Sequence, residues 1–289
     1  MDATGTEIVK GHTMTATGNH SILQLRGIRK LFTRAAVEKV MALNGVDLDV
    51  YDRDFITVIG SNGAGKSTLL NIIAGVFPPE KGGKVIIQGN DVTTLAEHRR
   101  AAYVGRVWQE PGVGTAGKLT IEENLCLALL RKQPRGLRQA INKQRRQQFR
   151  EQLASLGLGL EDRLNTPVNN LSGGQRQALA LVMATIGNPA ILLLDEHVAT
   201  LDPKTAQTVL QLTTEIAHRQ KMATLMVTHN MEVALRYGKR LIMMHKGKVV
   251  VDLGEADKKA LTVSDLIAAF EQAAGEKFSD DTILLNPQE

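Results

Sequence analysis

The stretch Gly60-Ser61-Asn62-Gly63-Ala64-Gly65-Lys66-Ser67-Thr68 follows a short apolar run, residues 55–59, and opens a helix-like run, residues 66–75. It fits G-x-x-x-x-G-K-[ST] in the context that pattern requires: strand, glycine-rich loop, helix. Gly60, Gly63 and Gly65 allow positive φ, so successive N–H groups can turn inward around an anion. The helix that starts at Lys66 points its positive dipole end and its unpaired N–H groups at the same place. Lys66 can reach β- and γ-phosphates, and the Ser67 hydroxyl can ligate Mg²⁺. The alternative is a flexible Gly/Ser turn, against which the flanking strand and helix argue. The loop is read as a nucleoside triphosphate site.

The bulk composition suits such a fold. A chain of 289 residues holds one large domain or two modest ones, and 43% apolar residues can bury a core. Aromatics are only 3%, so that core is mostly aliphatic. No apolar run approaches the ~18 residues that span a bilayer. Residues 1–20 are polar, Gly/Thr-rich and without an apolar h-region, which reads as a loosely attached tail rather than a signal peptide. The single cysteine, Cys126, excludes an internal disulfide or a cysteine-built zinc site and reads as a small buried residue in a reducing compartment. The net charge is +5, yet eight Lys/Arg and no acid lie between Arg131 and Arg150. With no nucleic-acid fold signature beside it, that run reads first as a solvated helix face, then as a segment near a membrane surface.

Residues 21–32 and 41–51 are strand-like with partial alternation, and residues 84–88 add a third strand closed by Gly89-Asn90-Asp91. They are expected to form an antiparallel flank. Pro78-Pro79 ends the helix after the glycine loop. A strand over residues 101–108 stops at Gln109 and runs into a loop, Pro111-Gly112-Val113-Gly114. Thr120 with Glu123 makes a capping box for a helix to about Arg131, and a second helix is expected over residues 137–156. After Asn170, apolar strands (residues 190–194, 223–228 and 240–244) alternate with helices, which implies a mostly parallel sheet buried on both faces. The fold class is therefore α/β, with an inserted helical subdomain. The division expected is a tail (1–20), a nucleotide-binding domain (21–253, with 21–110 and 172–253 as core and 115–171 helical) and a short C-terminal extension (254–289).

A second constellation complements the loop. The buried run 191–194 delivers Asp195 and Glu196 to its carboxyl edge, where ligands sit in open α/β sheets. Asp195 can hold Mg²⁺, and Glu196 is placed to take a proton from an attacking water. Leu171-Ser172-Gly173-Gly174-Gln175 is another anion-binding helix start. Two such starts make sense if one nucleotide is held between the glycine loop of one chain and the Ser-Gly-Gly of another.

Here the sequence resembles the ATP-binding cassette (ABC) ATPases, whose signature is Leu-Ser-Gly-Gly-Gln. The likeness covers about residues 21–253 with every motif in order. The resemblance implies that Phe32 stacks on adenine, that Gln109 senses γ-phosphate and Mg²⁺ while facing a membrane subunit, and that His229 contacts the γ-phosphate. It implies that Ala199-Thr200-Leu201-Asp202 crosses the dimer, so that Ser172, Gly173, Gly174, Gln175 and Asp202 serve a partner's ATP. The family commonly has Pro after the glutamate and Ser-Ala before Leu-Asp; this chain has His197 and Ala199-Thr200, which leaves the geometry of that turn open. Trp108 reads as packing. The implied cofactors are ATP and Mg²⁺, and the implied catalytic set is Glu196, His229, Lys66 and Gln109. The implied partners are a second copy, permease chains at the cytoplasmic face of the membrane and, indirectly, a solute-binding protein, with no nucleic acid. A single cassette without coiled coils fits a transporter better than an ABC ATPase of translation or DNA repair. Within transporters a prokaryotic importer is expected, close to a group paired with branched-chain-amino-acid-type permeases; a lipid or lipoprotein exporter is the alternative.

Overall fold

The computed structural model describes residues 21–34, 38–132 and 140–274. β1 (Ser21–Arg34) and β2 (Glu38–Tyr51) form a long antiparallel ribbon. β3 (Phe55–Gly60) leaves it and feeds α1 (Lys66–Ala74). The chain returns as β4 (Lys84–Ile87) beside β1, and β5 (Asn90–Asp91) completes an antiparallel sheet in the order β2-β1-β4-β5. α2 (Glu97–Arg100) leads to β6 (Val104–Val107). Four helices follow: α3 (Pro111–Gly114), α4 (Ile121–Leu129), α5 (Lys143–Ala154) and α6 (Gly173–Thr185). β7 (Ile191–Asp195), α7 (Pro203–Arg219), β8 (Ala223–Val227), α8 (Met231–Arg236), β9 (Arg240–His245) and β10 (Lys248–Leu253) come next. The second sheet runs β10-β9-β3-β8-β7-β6, parallel except for the β9–β10 hairpin. α9 (Glu255–Lys259) and α10 (Val263–Ala274) close the described chain.

The parallel strands are mostly apolar because both faces are covered. Ile191 and Leu193 of β7 join α1 and the antiparallel sheet in one core, while Leu192 and Leu194 join α4, α5, α6 and α7 in another. Each such side chain contributes about 1.5–3 kcal/mol on burial. α10 sets Leu266 and Phe270 against Ile59, Leu241 and Met243 in a third cluster.

Three expectations need correction. The strand expected over 101–108 is confined to Val104–Val107, since residues 101–103 are turns whose N–H groups bond back to Glu97 and Arg100 carbonyls, among others. Residues 111–114 form a single helical turn with Pro111 at its first position, where a missing N–H costs nothing. The helix expected from residue 137 begins at Lys143, because Asn142 Oδ1 accepts the Arg145 N–H at 2.9 Å and caps it there. Residues 1–20, 133–139 and 275–289, which include both tails and the Pro134-Arg135-Gly136 break, lie outside the described residues. The basic run is not simply a solvated face: Arg146 forks onto Glu122 at 2.7 and 2.9 Å, and Arg131 donates to the Met183 and Ala128 carbonyls.

Candidate nucleotide-binding site

The register of the parallel strands gathers the motifs. Val58 of β3 lies beside Val227 of β8, which lies beside Asp195 of β7. Gly60, Glu196 and His229 therefore leave the sheet along one carboxyl edge. The ladder continues one step further, with the Thr228 N–H on Val58 O and the Glu196 N–H on Val227 O, both at 3.1 Å.

Glycine is required in the loop by space as well as by φ. A Cβ at Gly60 (φ +151°) would lie 2.2 Å from Met244 O, and one at Gly65 (φ +99°) 2.4 Å from Ala42 O. Gly65 caps α1 without a side chain, and the first helical bond runs from the Leu69 N–H to Gly65 O at 2.8 Å. The N–H groups of Lys66, Ser67 and Thr68 precede that bond and are available to an anion. Asn62, Gly63 and Ala64 complete the loop, the Ala64 N–H closing onto Ser61 O at 3.1 Å. Lys66 Nζ donates to Gly60 O (2.7 Å) and Ser61 O (3.1 Å). Burial lowers its pKa, against the opposing pull of Glu196 and Asp195. α1 is closed at its other end by Arg100, which is 1% exposed and donates to the carbonyls of Ile72, Ile73, Thr93 and Leu95. A cation at that end complements the dipole that points positive at the loop.

Ser67 Oγ lies 3.2 Å from Asp195 Oδ1. This hydroxyl–carboxylate pair is a hard-oxygen donor set that fits Mg²⁺. Asp195 Oδ2 is taken by Arg106 Nη2 at 3.3 Å. Glu196 holds φ +46°, rare for a residue with a side chain and typical of constrained functional turns. His229 Nδ1 lies 3.3 Å from Glu196 Oε2. That bond is the main cause lowering the Glu196 pKa and raising the His229 pKa. Glu196 is thus ionised at neutral pH and can accept a proton.

The residue after Glu196 is turned into the core. His197 is 1% exposed, and its Nε2 lies 3.1 Å from Thr213 Oγ1 on α7. The Thr213 hydroxyl proton is spent on Val209 O at 2.7 Å, so His197 Nε2–H is the donor. Burial pushes the His197 pKa down to about 4, which keeps the ring neutral.

The second helix start is arranged differently. Ser172 Oγ accepts the Gln175 N–H and Gln175 Oε1 accepts the Ser172 N–H, both at 3.2 Å. A Cβ at Gly174 would lie 2.2 Å from Thr205 Cγ2, so α6 packs tightly on α7. Asp202 caps α7 through the Thr205 N–H at 3.1 Å. Among the described residues no hydrogen bond or ion pair joins 60–68 to 172–175, and Asp202 stands with the second group. Phe32 is 38% exposed and meets Phe77 edge to face at 5.4 Å, with Lys30 Nζ above both rings. Gln109 is exposed two residues beyond β6 rather than at its end. The structure thus brings Lys66, Ser67, Asp195, Glu196 and His229 together and leaves Phe32 and Gln109 at the periphery. Arg106, Asn71, Arg100 and Phe77 escaped the sequence reading. Of these only Arg106 carried a signal, and only in hindsight: a cation inside an otherwise apolar stretch.

Residues 43–199 match the ABC transporter family. The chain is an ABC transporter ATP-binding protein. It is 42% identical over 252 residues to the tyrosine transport ATP-binding protein of Clostridioides difficile, across 87% of this chain and all of that one. It is 32% identical to the methionine import ATP-binding protein MetN 2 of Enterococcus faecalis, across 92% of this chain and 74% of that one. A dimeric ATP-binding cassette solved in a post-hydrolysis state with ADP and Pi superposes with a TM-score of 0.69 at 31% identity, over 81% of this chain and 98% of that one. The ABC protein is accordingly an ATPase. Among its described residues no helix is long and apolar enough to cross a membrane.

Proposed function

We propose that this ABC ATPase is the energy-coupling subunit of an importer for an amino-acid-like solute, of the aromatic class to which tyrosine belongs. The observation that carries the proposal is the 42% identity along the whole length of a tyrosine transport ATP-binding protein. Two copies close face to face around two ATP molecules, each held by residues 60–68 of one copy and Ser172, Gly173, Gly174 and Gln175 of the other. Phe32 stacks on the adenine, and Asp202 crosses the interface. Mg²⁺ would be held by Ser67 and Asp195, which Gln109 would join from the periphery when the dimer closes, and would supply charge neutralisation between the phosphates. Glu196 takes a proton from the attacking water. Lys66 and His229 stabilise charge on the γ-phosphate. ATP favours the closed dimer through contacts the open one lacks, and hydrolysis reopens it.

The cassette comprises residues 21–253, with 115–171 as its helical part and 1–20 and 254–289 as extensions. Its membrane partners are permeases of the branched-chain-amino-acid type, docked at Gln109 and the helical part, with a solute-binding protein on the far side of the membrane. The ATPase is peripheral on the cytoplasmic face. Purification from solubilised membranes should recover an integral membrane protein. The reconstituted complex should then take up labelled tyrosine with ATP turnover. Export of lipid or lipoprotein, or recovery with ribosomes or DNA alone, would overturn the importer. Turnover per chain that stays constant on dilution would overturn the shared site.

A further inference from the structure

β6 places Arg106 at the edge of the sheet with its side chain only 8% exposed, and the guanidinium touches two other elements and the Trp108 ring at once. Nη1 donates to Asn71 Oδ1 on α1 at 2.7 Å, and Nη2 pairs with Asp195 Oδ2 at the end of β7 at 3.3 Å. The face of the group lies 3.4 Å from the centroid of the Trp108 ring. Nε is buried with no hydrogen-bond partner, so the fork is not fully locked in place. Arg106 and Trp108 also line a cavity of about 310 Å³, together with Leu127, Arg131 and Met183. Arginine keeps its charge even when burial lowers its pKa, as here.

We infer that Arg106 is a positioning residue that couples the Asp195 carboxylate to the cavity wall at Trp108. The inference rests on the proposed role of Asp195 toward Mg²⁺. Ser67 faces one oxygen of that carboxylate and Arg106 occupies the other. A divalent cation at Ser67 and Asp195 competes with the guanidinium for the same negative charge and repels it. The guanidinium then shifts on the Trp108 ring, where the cation–π attraction keeps it within reach. Linkage makes the effect reciprocal: whatever occupies the cavity and draws Arg106 off Asp195 leaves the carboxylate freer for metal. Gln109 follows Trp108 directly but makes none of these contacts, so the link runs through the arginine.

The chain has a single tryptophan, so intrinsic emission reports on this ring alone. Wild type, Arg106→Met and Arg106→Lys are titrated with ATP in EDTA and then with Mg²⁺, while equilibrium dialysis of labelled ATP measures nucleotide binding separately. Wild type should show an emission step that appears only with Mg²⁺. Arg106→Met should bind Mg-ATP without the step and half-saturate at a severalfold lower Mg²⁺ concentration, because the competing charge is gone. Arg106→Lys should keep a near-wild-type midpoint, since the charge remains, yet show a smaller step, since an ammonium lacks the planar face that stacks on the ring. A step of wild-type size in both variants, or an unchanged midpoint in Arg106→Met, would overturn the coupling. Wild type that binds no ATP would instead overturn the proposed function.

Discussion

Two helix starts in this ABC ATPase are built from glycine and hydroxyl residues, and only one of them carries a side-chain cap. α1 begins at Gly65 in the left-handed region with no side chain to cap it, so its first N–H groups await an anion. α6 begins at Ser172 inside a complete capping box, closed by Ser172 and Gln175 at 3.2 Å each way. Arg163 and the Leu158 carbonyl hold Gln175 from outside at 3.4 Å. One start is therefore a site in the isolated chain. The other spends its Gln175 N–H on the cap, a bond worth about 1 kcal/mol, and keeps the Ser172 hydroxyl proton and the Gly173 and Gly174 N–H groups for a phosphate. On the proposed function, α1 is the finished half-site, which already holds its lysine and hydroxyl, and α6 is the latent one, which meets a nucleotide only in a partner copy.

The largest effect should come from a change that leaves both starts intact. Glu196→Gln removes the base alone, so turnover should fall by about 10²–10⁴ while ATP affinity stays near wild type. ATP should then trap the two half-sites together, and light scattering should show the dimer accumulating. Turnover within tenfold of wild type would remove Glu196 from that role. Lys66→Ala breaks the finished half only. A hydrogen bond to a charged group is worth about 1.5–3 kcal/mol, so the dissociation constant for ATP measured by calorimetry on dilute protein should rise roughly 10- to 150-fold. Ser172→Ala acts on the latent half. Loss of the cap should cost about 1 kcal/mol, or about 2–4 °C in Tm, and should lower turnover at high protein concentration. ATP affinity of the dilute chain should not change. If Ser172→Ala weakened that affinity as much as Lys66→Ala does, the contrast between the two starts would collapse.

The contrast was half legible before the structure. Both starts could be read from composition, since glycine, hydroxyl and helix onset are local features. The antiparallel flank and the parallel sheet were legible for the same reason: alternation and continuous apolar runs are written within single segments. What could not be read is where long side chains end. Arg106 meets Asn71 and Asp195, which lie 35 and 89 residues away along the chain. Arg100 closes α1 through carbonyls that present no side-chain signal. Asn142 and Pro134-Arg135-Gly136 both suit a helix boundary, and only the bond to the Arg145 N–H places the start at Lys143. His197 stood out as a departure from the family, but only its burial against Thr213 turns the departure into a tether to α7.

The smallest effect concerns pH and separates the two starts once more. His229 is raised above its usual 6.5 by the bond to Glu196, so its contribution is full below that value and is lost as pH rises through the raised one. Glu196 is lowered from its usual 4.5 by the same bond, so its contribution is present above that value and is lost as pH falls through the lowered one. The pair therefore stabilises the fold most between about pH 4.5 and 6.5. The side chains are 48% and 23% exposed, and solvent screening should keep the gain below about 1 kcal/mol. The Tm difference between wild type and His229→Gln should be greatest near pH 5.5 and should shrink above pH 8. Ser172→Ala removes a neutral hydroxyl bonded to a backbone N–H, so its Tm deficit should stay flat across the same range. A deficit for His229→Gln that grew toward alkaline pH would place the charged partner of His229 elsewhere than on Glu196, and would detach the histidine from the finished half-site.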